Sequence, residues 1–251
     1  MMCMAASAQI MQIYKGDVLV KEYSASEADK VVFKEETTPT PTPSGSHEYV
    51  DLGLSVKWAT CNVGAENCYD YGDYFAWGET EPYSETGKTS FSWSTYKYCN
   101  GTYDSMTKYC TSSSYGTIDN KTVLEAADDA ATANWGSDWR MPTYDELYDL
   151  CNTSNCSWTW YDSGNTEFNG VAGYKVQSKR AGYTDKYIFL PAAGRWESTT
   201  LYYAGSDGYY WSSSLLENTP CYALTLDFDD TSRDQFWRYR CYGLSVRPVK
   251  K

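Results

Sequence analysis

Gly208-Tyr209-Tyr210-Trp211-Ser212-Ser213-Ser214 and, further on, Gly243-Leu244-Ser245-Val246-Arg247-Pro248-Val249 say more about this chain than any other segments. The tract from Leu201 to Tyr242 around and between them holds seven tyrosines, two tryptophans and two phenylalanines, with Arg233, Arg238 and Arg240 among its acids. Aromatic side chains give large contact area with few rotors to freeze, and Arg adds a planar donor fork. The mixture suits a recognition surface, and it offers no reaction centre. Any one ring is as well explained by core packing; the whole set is harder to hide.

Within this tract Tyr222, Leu224, Leu226 and Phe228 alternate with Cys221, Ala223, Thr225 and Asp227, the period of a strand. The polar run Asp229 to Asp234 turns the chain into a second strand beginning near Phe236 and predicted to continue to Val246. A turn centred near Thr231 sets opposing residues at numbers summing to about 462, which brings Cys221 opposite Cys241. Further strands are expected at Tyr209–Ser212, Phe168–Gln177, Tyr187–Leu190 and Gly72–Glu79, and as an opening hairpin over Glu48–Ala59.

Two helices are legible. Thr122-Val123-Leu124-Glu125 has the form of a capping box ahead of Ala126, Ala127, Ala130 and Ala131. Thr143-Tyr144-Asp145-Glu146 repeats it after Pro142, with Leu147, Leu150 and Cys151 as a buried stripe. Arg140 is expected in a structural charged pair, and Trp77, Trp135, Trp139 and Trp211 in the core. Thr80 to Gly116 has little periodicity and reads as a long ordered loop.

Upstream, Thr37-Thr38-Pro39-Thr40-Pro41-Thr42-Pro43-Ser44-Gly45-Ser46 is a linker on composition. It divides the chain into residues 1–8, 9–36, 37–46 and 47–251: the end of a leader, a short β element, the linker and the main domain. Gly16-Asp17 turns a first pair of short strands, and Lys30 to Phe33 reads as another. Ala6-Ser7-Ala8 has the small-x-small form of a signal-peptidase site.

Nine cysteines include four close couples: Cys61 with Cys68, Cys99 with Cys110, Cys151 with Cys156, and Cys221 with Cys241. Short loops favour these couples as disulfides in an oxidising compartment, although eight cysteines allow 105 connectivities. The bland alternative is a set of free buried thiols. No C-x-x-C occurs, so zinc is not expected. The formal charge of −12 argues against nucleic acid and anionic membranes as partners, and no apolar run reaches membrane-spanning length.

Tyr49-Val50-Asp51-Leu52-Gly53-Leu54-Ser55-Val56-Lys57-Trp58-Ala59 resembles the opening signature of the Fibrobacter succinogenes major paralogous domain family of Bacteroidetes. The resemblance continues through Asn62-Val63-Gly64, Tyr74 to Glu79, Trp135 to Thr143, Leu190 to Gly194, Tyr210 to Ser214 and Ser245 to Val249. It implies an α+β, C-type-lectin-like fold: two short helices packed on small twisted antiparallel sheets, with long ordered loops. This is also the fold of formylglycine-generating enzymes and of the variable proteins of diversity-generating retroelements. Carried over by position, the exposed part of Tyr209, Leu215, Leu216, Glu217, Asn218, Asp229, Arg233, Gln235, Trp237, Arg238 and Tyr239 is the expected ligand face. Trp211, Ser212, Gly243, Val246 and Arg247 are its expected frame.

The expected function is a secreted or surface-displayed binding module for a protein or other surface ligand. The alternatives are a glycan-binding module, metal-independent or calcium-dependent, and a structural subunit of a fimbria or other surface assembly. No catalytic residues are expected. His47 is the only histidine, and acids in a hairpin turn need no catalytic explanation. No cofactor is expected, with calcium as the exception to test: Asp227, Asp229, Asp230, Asp234 and Glu217 supply the oxygen ligands such a site needs. The best single expectations for binding energy are Trp237, Tyr239 and Arg238.

Overall fold

The computed structural model describes residues 10–15, 18–24, 47–83 and 88–250. The expected leader, the Gly16-Asp17 turn, the Lys30–Phe33 strand and the linker lie outside these residues. The chain divides into two units, Met1–Thr42 and Pro43–Lys251. In the first, β1 (Ile10–Lys15) and β2 (Val18–Ser24) form an antiparallel pair whose register shifts between Ile13 and Tyr14.

The second unit is a small α+β fold with short helices and small antiparallel sheets. Its opening hairpin is shorter than expected: β3 (Tyr49–Val50) and β4 (Lys57–Ala59). Two more short strands, β5 (Trp139–Arg140) and β14 (Val249–Lys250), complete that sheet in the order β3-β4-β14-β5. A second sheet is a meander of β6 (Cys156–Tyr161), β7 (Gly173–Ser178) and β8 (Tyr187–Pro191). The ribbon of β9 (Arg195–Glu197) and β10 (Thr200–Tyr202) leads into the third sheet, β11 (Gly208–Leu215), β12 (Tyr222–Phe228) and β13 (Arg233–Tyr239).

That third sheet stands between two cores. One of its faces contributes Tyr209, Trp211 and Ala223 to a cluster with Phe75, Trp77 and Leu244. The other contributes Tyr210, Leu226 and Phe228 to a cluster with Trp58, Leu147 and Val176. Burial on both faces explains why β11 is almost continuously apolar or small. Trp77, Trp139 and Trp211 are buried as expected, and Trp135 is half-buried against His47, ring centroids 3.7 Å apart.

The helix α2 (Tyr144–Cys151) starts as the sequence predicts. Thr143 Oγ1 accepts from the Glu146 amide, and the Thr143 amide donates to the Glu146 carboxylate. Glu146 also receives both Arg140 terminal nitrogens, at 2.7 and 2.6 Å, so the expected charged pair is bidentate. The first helix differs. The Thr122 box caps nothing: its segment is drawn alongside β11, with Leu124 N donating to Ser213 O and Leu215 N to Thr122 O. A 3-10 turn over Ala126–Asp128 follows, and α1 (Ala130–Trp135) is capped by Asp129 instead. Inter-strand bonding outweighs a capping signal worth about 1 kcal/mol.

Other expected strands shrink. Of Gly72–Glu79 only Phe75 bridges, to Leu244, and Phe168 belongs to the turn before β7. The second strand of the last hairpin stops at Tyr239 because Tyr242 N turns back to Tyr239 O and the Arg240 side chain dives into the core.

The disulfide expectation is overturned: all eight cysteines among the described residues are free thiols. The hairpin turn is Asp229–Ser232, so Phe228 faces Arg233 and Tyr222 faces Tyr239. Cys221 consequently lies opposite Arg240, one residue out of register with Cys241, and a one-residue slip reverses the face. Cys99 and Cys110 point their sulfurs to separate backbone carbonyls, those of Trp93 and Ser112. Cys61 points to Glu66 O. Burial raises the thiols of Cys68, Cys99, Cys151, Cys156, Cys221 and Cys241, which keeps them protonated. The cysteines therefore no longer argue for an oxidising compartment.

Candidate functional site

Among the described residues, strand β13 is the outer edge of the third sheet, paired with β12 on one side only. Alternation sends Asp234, Phe236 and Arg238 to one face, beside Thr225 and Asp227 of β12 and Tyr209 of β11, and sends Gln235, Trp237 and Tyr239 to the other. Phe236 and Trp237 nevertheless stack face to face, centroids 4.4 Å apart and planes 3° from parallel. Neighbours in a strand point to opposite faces, so such a pair has to meet around the free edge. They are 39% and 43% exposed.

From this pair a ladder of rings and guanidinium groups runs back across the sheet. The Arg238 guanidinium lies 4.9 Å from the Phe236 ring and 5.0 Å from Tyr209. Tyr209 is followed by Arg195 at 4.8 Å, and Arg195 by Tyr203 at 5.1 Å. Tyr203 and Tyr202 end the ladder as exposed rings. Each ring–cation contact contributes about 0.5–2 kcal/mol, depending on how dry it is. The larger effect is rigidity, because long Arg side chains are held flat before any ligand arrives.

Asp227 fixes one rung. Its Oδ2 accepts from Arg238 Nε at 2.8 Å and pairs with Nη2 at 2.6 Å. Burial pushes the Asp227 carboxyl up, and Arg238 draws it back. Among the described residues, Asp227 Oδ1, Arg195 Nε and the Thr225 hydroxyl are buried without a hydrogen-bond partner. Tyr209 Oη donates to Asp207, and burial together with that carboxylate raises the phenol, which stays neutral.

The structure distributes the expected face residues unevenly. Glu217, Asn218 and Trp237 are exposed; Leu216, Asp229, Arg233, Gln235, Arg238 and Tyr239 are half-buried; Tyr209 and Leu215 are buried. Tyr239 is wrapped by Tyr222, Trp93 and Tyr242, at 4.4, 5.5 and 5.5 Å. Arg233 lies 5.2 Å from the Trp158 ring. Phe236, Arg195, Tyr202 and Tyr203 belong to the patch and were missed. The Tyr202-Tyr203 doublet is the one sequence signal for the last two.

The acids considered for calcium do not converge. Asp229 holds the hairpin turn through Thr231 and Ser232, while Asp227 holds Arg238. Among the described residues no three His, Cys, Asp or Glu side chains are placed to hold a metal ion, and no helix is long and apolar enough to cross a membrane. The frame residues Trp211, Ser212, Val246 and Arg247 are buried. Arg247 donates to Asn62 Oδ1 and to the carbonyls of Ala59, Thr60 and Phe189. Gly243 packs where a Cβ would meet the Phe91 ring at 2.4 Å. Compared with protein-family models, with curated proteins and with solved structures, the chain finds no match.

Proposed function

We propose that this chain is a surface-displayed or secreted binding module of C-type-lectin-like type whose recognition face is the aromatic and guanidinium ladder that runs back from β13. The observation that supports this most is the stacked Phe236–Trp237 pair, open to solvent and continuous through Arg238, Tyr209 and Arg195 with Tyr203. Ordered aromatic and Arg side chains at the centre of a patch supply most of the energy in protein interfaces. Export rests on Ala6-Ser7-Ala8 and on the family resemblance, now that the cysteines no longer support it.

A metal-independent glycan is the second candidate. The exposed, parallel Phe236 and Trp237 rings are faces on which a sugar ring stacks. The test is an array of glycans and of host and bacterial surface proteins probed with the purified chain, each hit repeated with calcium chelated. Binding is expected to survive chelation and to fall at least tenfold in a Phe236→Ala, Trp237→Ala double variant. A folded double variant that binds undiminished removes this face from consideration.

A further inference from the structure

An edge strand presents a row of unpaired backbone groups to any other strand. Which groups β13 presents follows from its register. Arg240 N donates to Cys221 O, and bonded pairs alternate along an antiparallel ladder. The pairs at Asp234, Phe236 and Arg238 therefore bond to β12, while Arg233, Gln235 and Trp237 turn their N–H and C=O outward; the Tyr239 carbonyl is taken by Tyr242 N. Gln235 is consistent with this: its N–H goes to the Asp234 side chain at 2.8 Å.

We infer that this edge is self-complementary, and that two copies of the chain join β13 to β13 antiparallel about a twofold axis at Phe236. The register is the one in which outward residues face outward residues and opposite charges meet. Gln235 bonds Trp237 of the second copy, Asp234 faces its Arg238, and Phe236 faces Phe236. Because the axis is perpendicular to the sheet, Asp234 and Arg238 lie on the same face across the junction. Shifting the centre to Asp234 or to Arg238 sets like charges against each other at the axis.

The Phe236 and Trp237 rings, stacked around the edge in the single chain, part as the two strands pair. Asp234 releases the Gln235 N–H, which gains a Trp237 carbonyl, and takes a bond from the opposing Arg238. Arg238 keeps Asp227 on Nε and Nη2 and offers Nη1. An isologous contact of this kind closes on itself and forms no filament. It also sets two aromatic ladders side by side, so a ligand with repeated epitopes engages both. The inference is independent of the ligand's identity.

The experiment is light scattering and native mass spectrometry of the full chain over a range of concentrations, with variants at the junction. The 28.4 kDa chain is expected to double in mass as concentration rises. Asp234→Lys, which sets Lys against Arg at both symmetric positions, should leave only monomer, and Asp234→Glu should dimerise. Phe236→Cys should give a cross-linked dimer under mild oxidation, because facing residues at an unbonded position are closest; Asp234→Cys and the unaltered chain should not. A chain that stays monomeric at all concentrations shows that Asp234 caps the edge for good and overturns the inference. So does a dimer indifferent to Asp234→Lys, or one that cross-links through position 234 instead. Ligand binding by the monomeric Asp234→Lys variant separates failure of the junction from failure of the recognition face.

Discussion

Arg240 is the most informative residue to change. Its side chain is fully buried and donates to Tyr96 Oη at 2.9 Å, to the carbonyls of Tyr109 and Lys108 at 3.0 Å each, and to that of Pro220 at 2.8 Å. Its guanidinium also lies 4.9 Å from the Trp77 ring. Among the described residues no carboxylate comes within ion-pair distance of it. Burial raises the Tyr96 phenol, so the phenol stays neutral too. The charge is balanced by oriented carbonyl dipoles and ring faces. In Arg240→Met four acceptors lose charge-assisted bonds worth about 1.5–3 kcal/mol each. Several kcal/mol return because no charge is dehydrated on folding. The expected net loss is about 3–5 kcal/mol, four buried acceptors left unpaired at about 1–3 kcal/mol each less that return. Urea unfolding followed by tryptophan fluorescence measures it as a lower midpoint at unchanged slope. A loss under about 1 kcal/mol would falsify the claim that Arg240 ties the irregular segment from Tyr96 to Tyr109 to the end of β13.

Three further outcomes are expected. Thr143→Ala should cost about 1 kcal/mol of unfolding free energy by loss of the cap, with ligand affinity unchanged where the domain is folded; an unshifted denaturation curve contradicts the capping box. Against its burial, which acts the other way, bonds from Lys108, Tyr109 and Tyr98 hold the Asp128 carboxyl below its usual range. Stability from this group is thus present above the unfolded carboxylate range, about pH 4, and is lost as pH falls through the lower folded value. Asp128→Asn should remove that part of the acid slope in midpoints measured against pH, and an identical slope refutes the assignment. Finally, reductant should leave the melting temperature unchanged, and alkylation should be slow in the native state at Cys156 and Cys221, whose thiols burial pushes up to about 11. Mass spectrometry after thiol blocking without reductant would contradict the free-thiol state if any described cysteine stayed unblocked after unfolding.

What could be read from the sequence was what is local. Thr143 to Glu146 specified a cap within four residues, and the alternation from Tyr222 to Phe228 specified a strand. What escaped depended on partners far away. The Thr122 box was as good a signal as the Thr143 box, yet β11 claimed its backbone. The hairpin register was set by Asp229, whose carboxylate accepts from both Thr231 and Ser232 and fixes a four-residue turn. Centring on Thr231 missed it by one, and with it the face of Cys221. At the exposed edge of β13, Trp237 was legible as an aromatic in the last strand. Tyr239 was indistinguishable from it in sequence, because the Tyr222, Trp93 and Tyr242 rings that enclose it come from other segments. Arg195 and Tyr203 come from a ribbon that nothing in the Tyr209–Tyr239 tract announces.

The strand order β3-β4-β14-β5 also imposes a schedule on the chain as it is made. Val249 sits in register between Trp58 and Arg140, joining β4 to β5. At translation rates of about 5–20 residues per second, β4 is synthesised roughly 10–40 s before the strand that completes its sheet. Throughout that interval Trp58 and the core around it have no lid. The domain therefore reaches its native state only after Val249 has left the ribosome, through contacts of long sequence separation that close slowly. Until then β4 and β5 lack the strand that joins them.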